Sequence, residues 1–162
     1  MTPVLANKVP LLNRWNTPMD FGKSFRGKRI LGDNKRVRGL VFGCFVAAFI
    51  AMAEEYFLFR PSLNNIPLLL LLSALFGALM GFGALMGDAV ESFFKRQKGV
   101  KPGEPWFPFD QIDYIIGGLL VVAPAILPYS WGLFIRVFIL YFGLHLLVSY
   151  IGYLLGFKDK PI

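Results

Sequence analysis

The chain has 162 residues, 56% of them hydrophobic and 17% charged, and its mean hydropathy is +0.57. A soluble domain is about one quarter charged, and it lacks repeated apolar runs of the roughly 20 residues that cross hydrocarbon. The composition therefore excludes a soluble globular protein, and the net charge of +7, gathered beside the apolar runs, argues against nucleic acid as a partner.

The expected class is an all-α, polytopic helical integral membrane protein, with residues 1–162 forming one compact membrane-embedded unit. Residues 1–12, MTPVLANKVPLL, are weakly apolar, and their prolines and Lys8 make them too interrupted to span alone. Residues 13–38 are polar and basic. The first clear span is 39–59, GLVFGCFVAAFIAMAEEYFLF, stopped by Arg60-Pro61. The second is 65–86. A polar central loop, 87–111, leads to the third, 112–128, IDYIIGGLLVVAPAILP, and the fourth is 131–155. FKDKPI closes the chain.

Four spans put both termini on one side. That side carries 15 of the 17 Lys and Arg: nine before the first span, then Lys95, Arg96, Lys98 and Lys101 in the central loop, and Lys158 and Lys160 in the tail. Arg60 falls opposite, and Arg136 lies within a span. Positive residues mark the cytoplasmic side, so the basic segment, the loop and the tail are expected there, framing a polar cleft. If residues 1–12 insert, the spans number five and the extreme N-terminus lies outside. No secretory signal pattern is read at the N-terminus. Cys44 is the only cysteine, which excludes an intramolecular disulfide and a cysteine metal site. In its apolar run it reads as a small core hydrophobe. GALMGFGALMG, Gly77 to Gly87, repeats small residues at near four-residue intervals, a spacing that brings helices close together.

The second apolar run ends in GDAVESFFKRQKG. Continued as a helix, this stretch places Asp88, Glu91, Ser92 and Lys95 on one face, at offsets of three, four and seven. Val90, Phe93 and Phe94 take other faces. Downstream, Asp110 and Asp113 are three apart at the start of the third span, where a helix dipole favours acids. The loop makes the two spans antiparallel neighbours, so Asp88 and Asp110 are expected to converge at one membrane boundary, with Lys95, Arg96, Lys98 and Lys101 close by. Convergent carboxylates repel unless a cation lies between them. Mg2+ suits the pair, because it binds through one or two carboxylates plus substrate phosphates. The lysines and arginines would then hold the remaining phosphate charge. From spacing alone, a metal–phosphate site and plain interfacial anchoring charges both stand.

G-D-x-x-E-S-x-x-K-R-x-x-G-V-K from Gly87 to Lys101, followed by D-Q-I-D at 110–113, resembles the signature of the CTP-dependent phosphatidate cytidylyltransferases. In that family the segment runs on through a P-G-H-G-G element to D-R-x-D. Here the His-Gly-Gly element is missing and the loop is KPGEPWFPF. That departure, with DFGKSFRGKRILGDNKRVRGLVFG from Asp20 to Gly43, is similar to the archaeal branch, the CDP-archaeol synthases. The resemblance covers residues 17–120, and the last span more loosely. It implies attack of a lipid phosphomonoester on the α-phosphorus of CTP with release of pyrophosphate. The implied lipid is 2,3-bis-O-geranylgeranylglyceryl 1-phosphate, an anionic isoprenoid ether lipid. The resemblance also implies Asp88 and Asp110 as Mg2+ ligands, with a second cation left open, Lys95 and Arg96 as the basic pair, and Asp113 as the last aspartate of the motif. Lys35 matches the family lysine that precedes a W-E-G segment, although Arg36-Val37-Arg38-Gly39 follows it here. The two readings together give Asp88, Lys95, Asp110 and Asp113 as the catalytic set. They give Asn34, Lys35, Arg38, Ser92, Arg96, Lys98 and Lys101 as the substrate and phosphate-binding set.

The basic segment, KSFRGKRILGDNKRVRG, serves either as an anchor on anionic headgroups or, at its Gly32–Lys35 turn, as a phosphate contact that also offers backbone N–H groups. Glu54 and Glu55 read as interfacial or paired. Arg136 is close enough to the outer edge to snorkel, and central His145 reads as a structural hydrogen-bonding group. A small transporter or ion pathway using membrane acids is the alternative function, but the acids cluster at one boundary. The D-G-x-x-A-R pattern of CDP-alcohol phosphotransferases is absent. Membrane lipids are expected partners, and a homo-oligomer is left open.

Overall fold

The computed structural model describes residues 16–59, 65–101, 104, 106–126 and 131–156. Residues 1–12, whose insertion would add a fifth span, lie outside the described residues, as do Arg14, Arg60, Lys158 and Lys160. A short hairpin, β1 (Ser24–Phe25) and β2 (Lys28–Arg29), precedes four long helices: α1 (Val37–Glu54), α2 (Ile66–Lys98), α3 (Phe109–Ile126) and α4 (Trp131–Leu154). α1 runs on into one π-helical turn, Glu55–Phe59.

Among the described residues, three helices are long and apolar enough to cross a membrane: α1 continued through Leu58, α2 and α4. α3 has 18 residues and opens on FDQID, so only its later part is apolar. Exposed large apolar side chains are common, as at Phe45, Leu120 and Leu154, which suits a lipid surrounding. The helical membrane class holds. α2 has 33 residues, about 50 Å at 1.5 Å per residue, against about 30 Å of hydrocarbon. The helix does not stop where the apolar run stops. Gly87 to Lys98 continues it, so the face shared by Asp88, Glu91 and Lys95 is helical. Gly99 ends it in the left-handed conformation (φ +80°), which glycine adopts without a Cβ penalty. Lys95, Arg96 and Lys98 occupy the last turn, where cations suit the helix dipole.

The helices pack in a row, α1 on α2, α2 on α3 and α3 on α4. The small residues of α2 serve both of its neighbours. A Cβ on Gly77 would come within 2.5 Å of the Ala47 carbonyl oxygen in α1, and one on Gly83 within 2.5 Å of the Gly117 carbonyl oxygen in α3. Backbones approach this closely only where side chains are absent. On the other face of α3, Ile115, Leu119 and Val122 form a buried core with Met80 of α2 and Phe134, Phe138 and Phe142 of α4.

The basic segment is folded. β1 and β2 pair Ser24 with Arg29 and Phe25 with Lys28. Their two-residue loop, Arg26-Gly27, has both φ angles positive, the twist that closes a tight hairpin. The Phe25 ring lies 6.1 Å from that of Phe93, which seats the hairpin on the end of α2. Ahead of it, residues 17–19 run antiparallel to 35–37: the Met19 N–H donates to the Lys35 carbonyl at 2.8 Å, and the Val37 N–H to the Thr17 carbonyl at 3.1 Å.

Candidate active site

The α2–α3 seam decides which acids meet. Gly83 faces Gly117, and Gly87 faces the backbone of Asp113. Asp88 therefore stands beside Asp113. Asp110, nearly one turn earlier in α3, comes level with the next turn of α2, which carries Glu91 and Lys95. Carboxylate oxygens of Asp88, Glu91 and Asp113 lie within 4.8 Å of one another. Lys35 reaches in from its turn and forms an ion pair with Asp88. Lys95 Nζ sits 2.6 Å from Asp110 Oδ1 and 3.4 Å from Glu91 Oε1. The other Asp110 oxygen accepts the Trp106 backbone N–H at 2.9 Å. Asp113 Oδ1 accepts the N–H of Tyr114 at 2.6 Å.

Glu91 is buried, and its Oε1 accepts no hydrogen bond among the described residues. Lys95 gives it an ion pair without hydrogen-bond geometry. A buried carboxylate oxygen that lacks a donor is costly unless a positive charge fills the place. Lys95 supplies that charge to Oε1 at 3.4 Å, and the three converging carboxylates beside it fit a hard cation that takes oxygen ligands. Sequence reasoning paired Asp88 with Asp110. In the structure, Asp88 gathers with Glu91 and Asp113, while Asp110 adjoins Glu91 through the Lys95 they share and turns its other oxygen to the Trp106 N–H.

Lys35 is delivered by the folded segment, and Asp20 is the hub of that segment. The Asp20 side chain is fully buried (0% exposed). It accepts the N–H groups of Gly22 (3.0 Å), Leu31 (3.0 Å) and Gly32 (3.2 Å), and the Arg29 guanidinium at 2.9 Å. Burial alone would push the Asp20 carboxyl up. Arg29 and the three backbone donors overcome that and hold it well below the usual carboxylate range. The Leu31 and Gly32 amides are thus already bonded to Asp20 and are not open to a ligand. Arg29 also pairs with Asp33 at 3.0 Å, and Lys28 Nζ donates to the Gln97 carbonyl at 2.7 Å, at the end of α2.

Of the other residues singled out from sequence, Arg96 runs beside Gly32 of the same turn. Ser92 is buried, next to Glu91 in α2. Arg38 is buried in the first turn of α1. Gly43 packs on Leu85 and Ala47 on Gly81, so α1 is antiparallel to α2 and Arg38 lies at the Asp88 end. Lys98 stands apart, over the Trp106 ring at 4.9 Å, and Trp106 in turn lies 4.4 Å from Phe109. Asn34 and Lys101 are exposed. Sequence reasoning left Glu91 without a role, although its offset of three from Asp88 was the signal. It passed over Asp20, whose place before a Phe-Gly turn in a basic segment is the mark of a turn-bonding acid. Deeper along the helices, the His145 ring lies 5.4 Å from Tyr114 and 3.5 Å from the Ser149 hydroxyl. Ser73 donates to Glu55 at 3.2 Å, and Arg136 donates to the Gly132 carbonyl at 3.1 Å. These contacts join neighbouring helices or turns.

Fold and site together define a helical intramembrane protein with a carboxylate–lysine centre at one end of its helix row. A family model described as CarS-like, CDP-archaeol synthase, matches residues 1–162. The chain belongs to this family. It is 38% identical over 170 residues to the CDP-archaeol synthase of Methanosarcina barkeri, covering 97% of each chain. Against the CDP-archaeol synthase of Halobacterium salinarum it is 37% identical over 165 residues, covering 97% of this chain and 90% of that one. Against that of Methanospirillum hungatei it is 34% identical over 165 residues, covering 97% and 96%. A solved structure of an intramembrane enzyme for archaeal membrane lipids biosynthesis superposes with a TM-score of 0.68 at 28% identity, over 94% of this chain and 89% of the other.

Proposed function

We propose that this enzyme, a CTP-dependent cytidylyltransferase of archaeal lipid synthesis, works at the carboxylate–lysine centre between α2 and α3. The substrate we assign is 2,3-bis-O-geranylgeranylglyceryl 1-phosphate, and the product is its CDP-lipid. The observation that carries this reading is the convergence of Asp88, Glu91, Asp113, Lys35 and Lys95 where α2 leaves its apolar run. Both substrates are anionic, one is water-soluble, and the other has tails that need hydrocarbon. A charged centre at the end of a membrane helix, facing the cytoplasm, suits that combination.

An oxygen of the lipid phosphomonoester attacks the α-phosphorus of CTP. The bond from that phosphorus to the bridging oxygen breaks, and pyrophosphate leaves with the electron pair. The attacking group has a second pKa of about 6 and is already ionised near neutrality, so no general base is required. Lys35 and Lys95 are held on carboxylates and can pass to phosphate oxygens, where charge-assisted bonds are stronger. Arg96, beside the Lys35 turn, adds a planar donor fork. Asp110 anchors Lys95 and ties it to the backbone of Trp106. Mg2+ is the cation we assign to Asp88, Glu91 and Asp113, where it would neutralise phosphate charge and act as a Lewis acid. Fixed geometry can supply about 7–11 kcal/mol of such a barrier.

Purified protein should release pyrophosphate from CTP only when the lipid phosphate is present. A chelator should stop turnover, and added Mg2+ should restore it. Asp88→Asn should reduce kcat by about 10²-fold or more, as loss of a transition-state electrostatic contact does, with an unchanged gel-filtration profile. Full activity in Asp88→Asn, or turnover indifferent to the chelator, would sink the assignment.

A further inference from the structure

Asp20 is a buried charge bonded on both oxygens, and nothing in the chemistry above uses it. It is fully buried within a segment that is otherwise largely exposed. A buried charge is tolerated only when it is paired and hydrogen-bonded, and removing its bonds is strongly unfavourable. The bonds of Asp20 reach three separate parts of the segment: the Phe21–Gly22 turn, Arg29 of β2, and the Leu31–Gly32 amides. Leu31 and Gly32 open the turn that ends at Lys35. One residue before Asp20, Met19 hydrogen-bonds the Lys35 carbonyl. Residues 17–20 and 31–37 therefore form two sides of a single frame, and Lys35 projects from it onto Asp88. The Arg96 stem lies against Gly32 of the same frame. A lysine ammonium reaches only as far as its four-carbon stem allows, so the backbone position of Lys35 decides whether it can meet Asp88.

We propose that Asp20 is a positioning residue for the reaction: its carboxylate locks the Leu31–Lys35 turn and thereby sets Lys35 on the carboxylate centre. Asp20 touches no substrate and acts through Lys35. This inference rests on the functional reading above.

The test uses the full chain in detergent micelles, with two readouts. In the first, brief acetylation of lysine amines is followed by mass spectrometry, with exposed Lys23 as the internal reference. Asp20→Asn keeps the shape but loses the charge. It should raise labelling of Lys35 relative to Lys23 by about tenfold, the opening expected when a charged hydrogen-bond network is lost. In the second, Asp20→Asn should lower kcat/KM by about tenfold on its own, and by little in a Lys35→Met background. Arg29→Met, which leaves Asp20 in place but removes its charged partner and two of its hydrogen bonds, should move both readouts the same way, and it stands in where Asp20→Asn does not fold. Unchanged Lys35 labelling, or an Asp20→Asn loss that is the same with and without Lys35, overturns the proposal in favour of a merely structural role. If the wild-type chain is inactive, the functional reading fails while the labelling still tests the frame. If the wild type is active and the labelling is flat, this inference alone falls.

Discussion

Glu91 and Asp110 share Lys95, yet their remaining contacts differ. Glu91 is buried, lies among the carboxylates of Asp88 and Asp113, and keeps an oxygen without a hydrogen bond. Asp110 has one oxygen on Lys95 and the other on the Trp106 N–H. If the cation sits among Asp88, Glu91 and Asp113, Glu91→Gln removes a charged ligand and leaves the shape. The metal concentration for half-maximal activity should then rise by about tenfold or more, on the scale by which altered metal shells lower affinity. Saturating metal should restore most of kcat. Asp110→Asn should behave differently. It keeps an acceptor for Trp106 but frees Lys95 from its partner, so kcat should fall while the metal requirement stays near that of the wild type. A metal titration of each purified variant decides the matter. A shift in Asp110→Asn with none in Glu91→Gln would return the metal to the Asp88–Asp110 pair that the motif order suggests.

Among the elements, the contact of α2 with α3 sets the site, and glycine sets that contact. Gly87 lies against the backbone of Asp113, and Gly117 against Gly83 and Gly87. Gly87→Ala should therefore push the helices apart just where Asp88 meets Asp113. Overpacking of this kind costs about 1–3 kcal/mol of stability, and a displacement near 1 Å at reacting groups can cost about 10²-fold in rate. The expected result is a modest fall in the melting temperature with a large fall in kcat. Gly143→Ala in α4, where an added Cβ meets nothing within 4 Å, is the control and should change neither. This seam also shows how far the sequence could be read. An apolar stretch of about 20 residues and a small residue every four are properties of a line, so the helices, their antiparallel order and the close packing at GALMGFGALMG are legible. The offset between two neighbouring helices is not written along either one. Level ends would have joined Asp88 to Asp110; the Gly87–Asp113 contact slides α3 so that Asp110 meets Lys95 instead. Asp20 was hidden for a related reason. Its partners are mostly backbone amides, which carry no residue identity to read.

On the scale of the whole molecule, the question is which side of the membrane the centre faces. With all four apolar runs crossing, 15 of 17 Lys and Arg would fall on one side. Lys35, Arg38, Lys95 and Arg96 belong to that set and stand at the Asp88 end of the row. Cationic segments beside a span are retained in the cytoplasm, and CTP, a soluble polyanion, is made and held there. The twelve residues from Gly87 to Lys98 carry α2 about 18 Å past its apolar run at 1.5 Å per residue, far enough to put Lys98 in water. Trp131, exposed at the start of α4, belongs to the opposite edge. A Cys44→Ser chain bearing a single new cysteine, Lys98→Cys or Trp131→Cys, tests this directly with a membrane-impermeant maleimide on intact cells. Trp131→Cys should be labelled from outside, and Lys98→Cys only after the membrane is permeabilised. The opposite pattern would put the carboxylate–lysine centre on the face that CTP does not reach, and the cytoplasmic assignment would then be wrong whatever the purified enzyme catalyses. A third cysteine, Thr2→Cys, reports on the first twelve residues. Protection from the outside reagent agrees with four spans, whereas labelling from outside would mean that this segment crosses the membrane and that the spans number five.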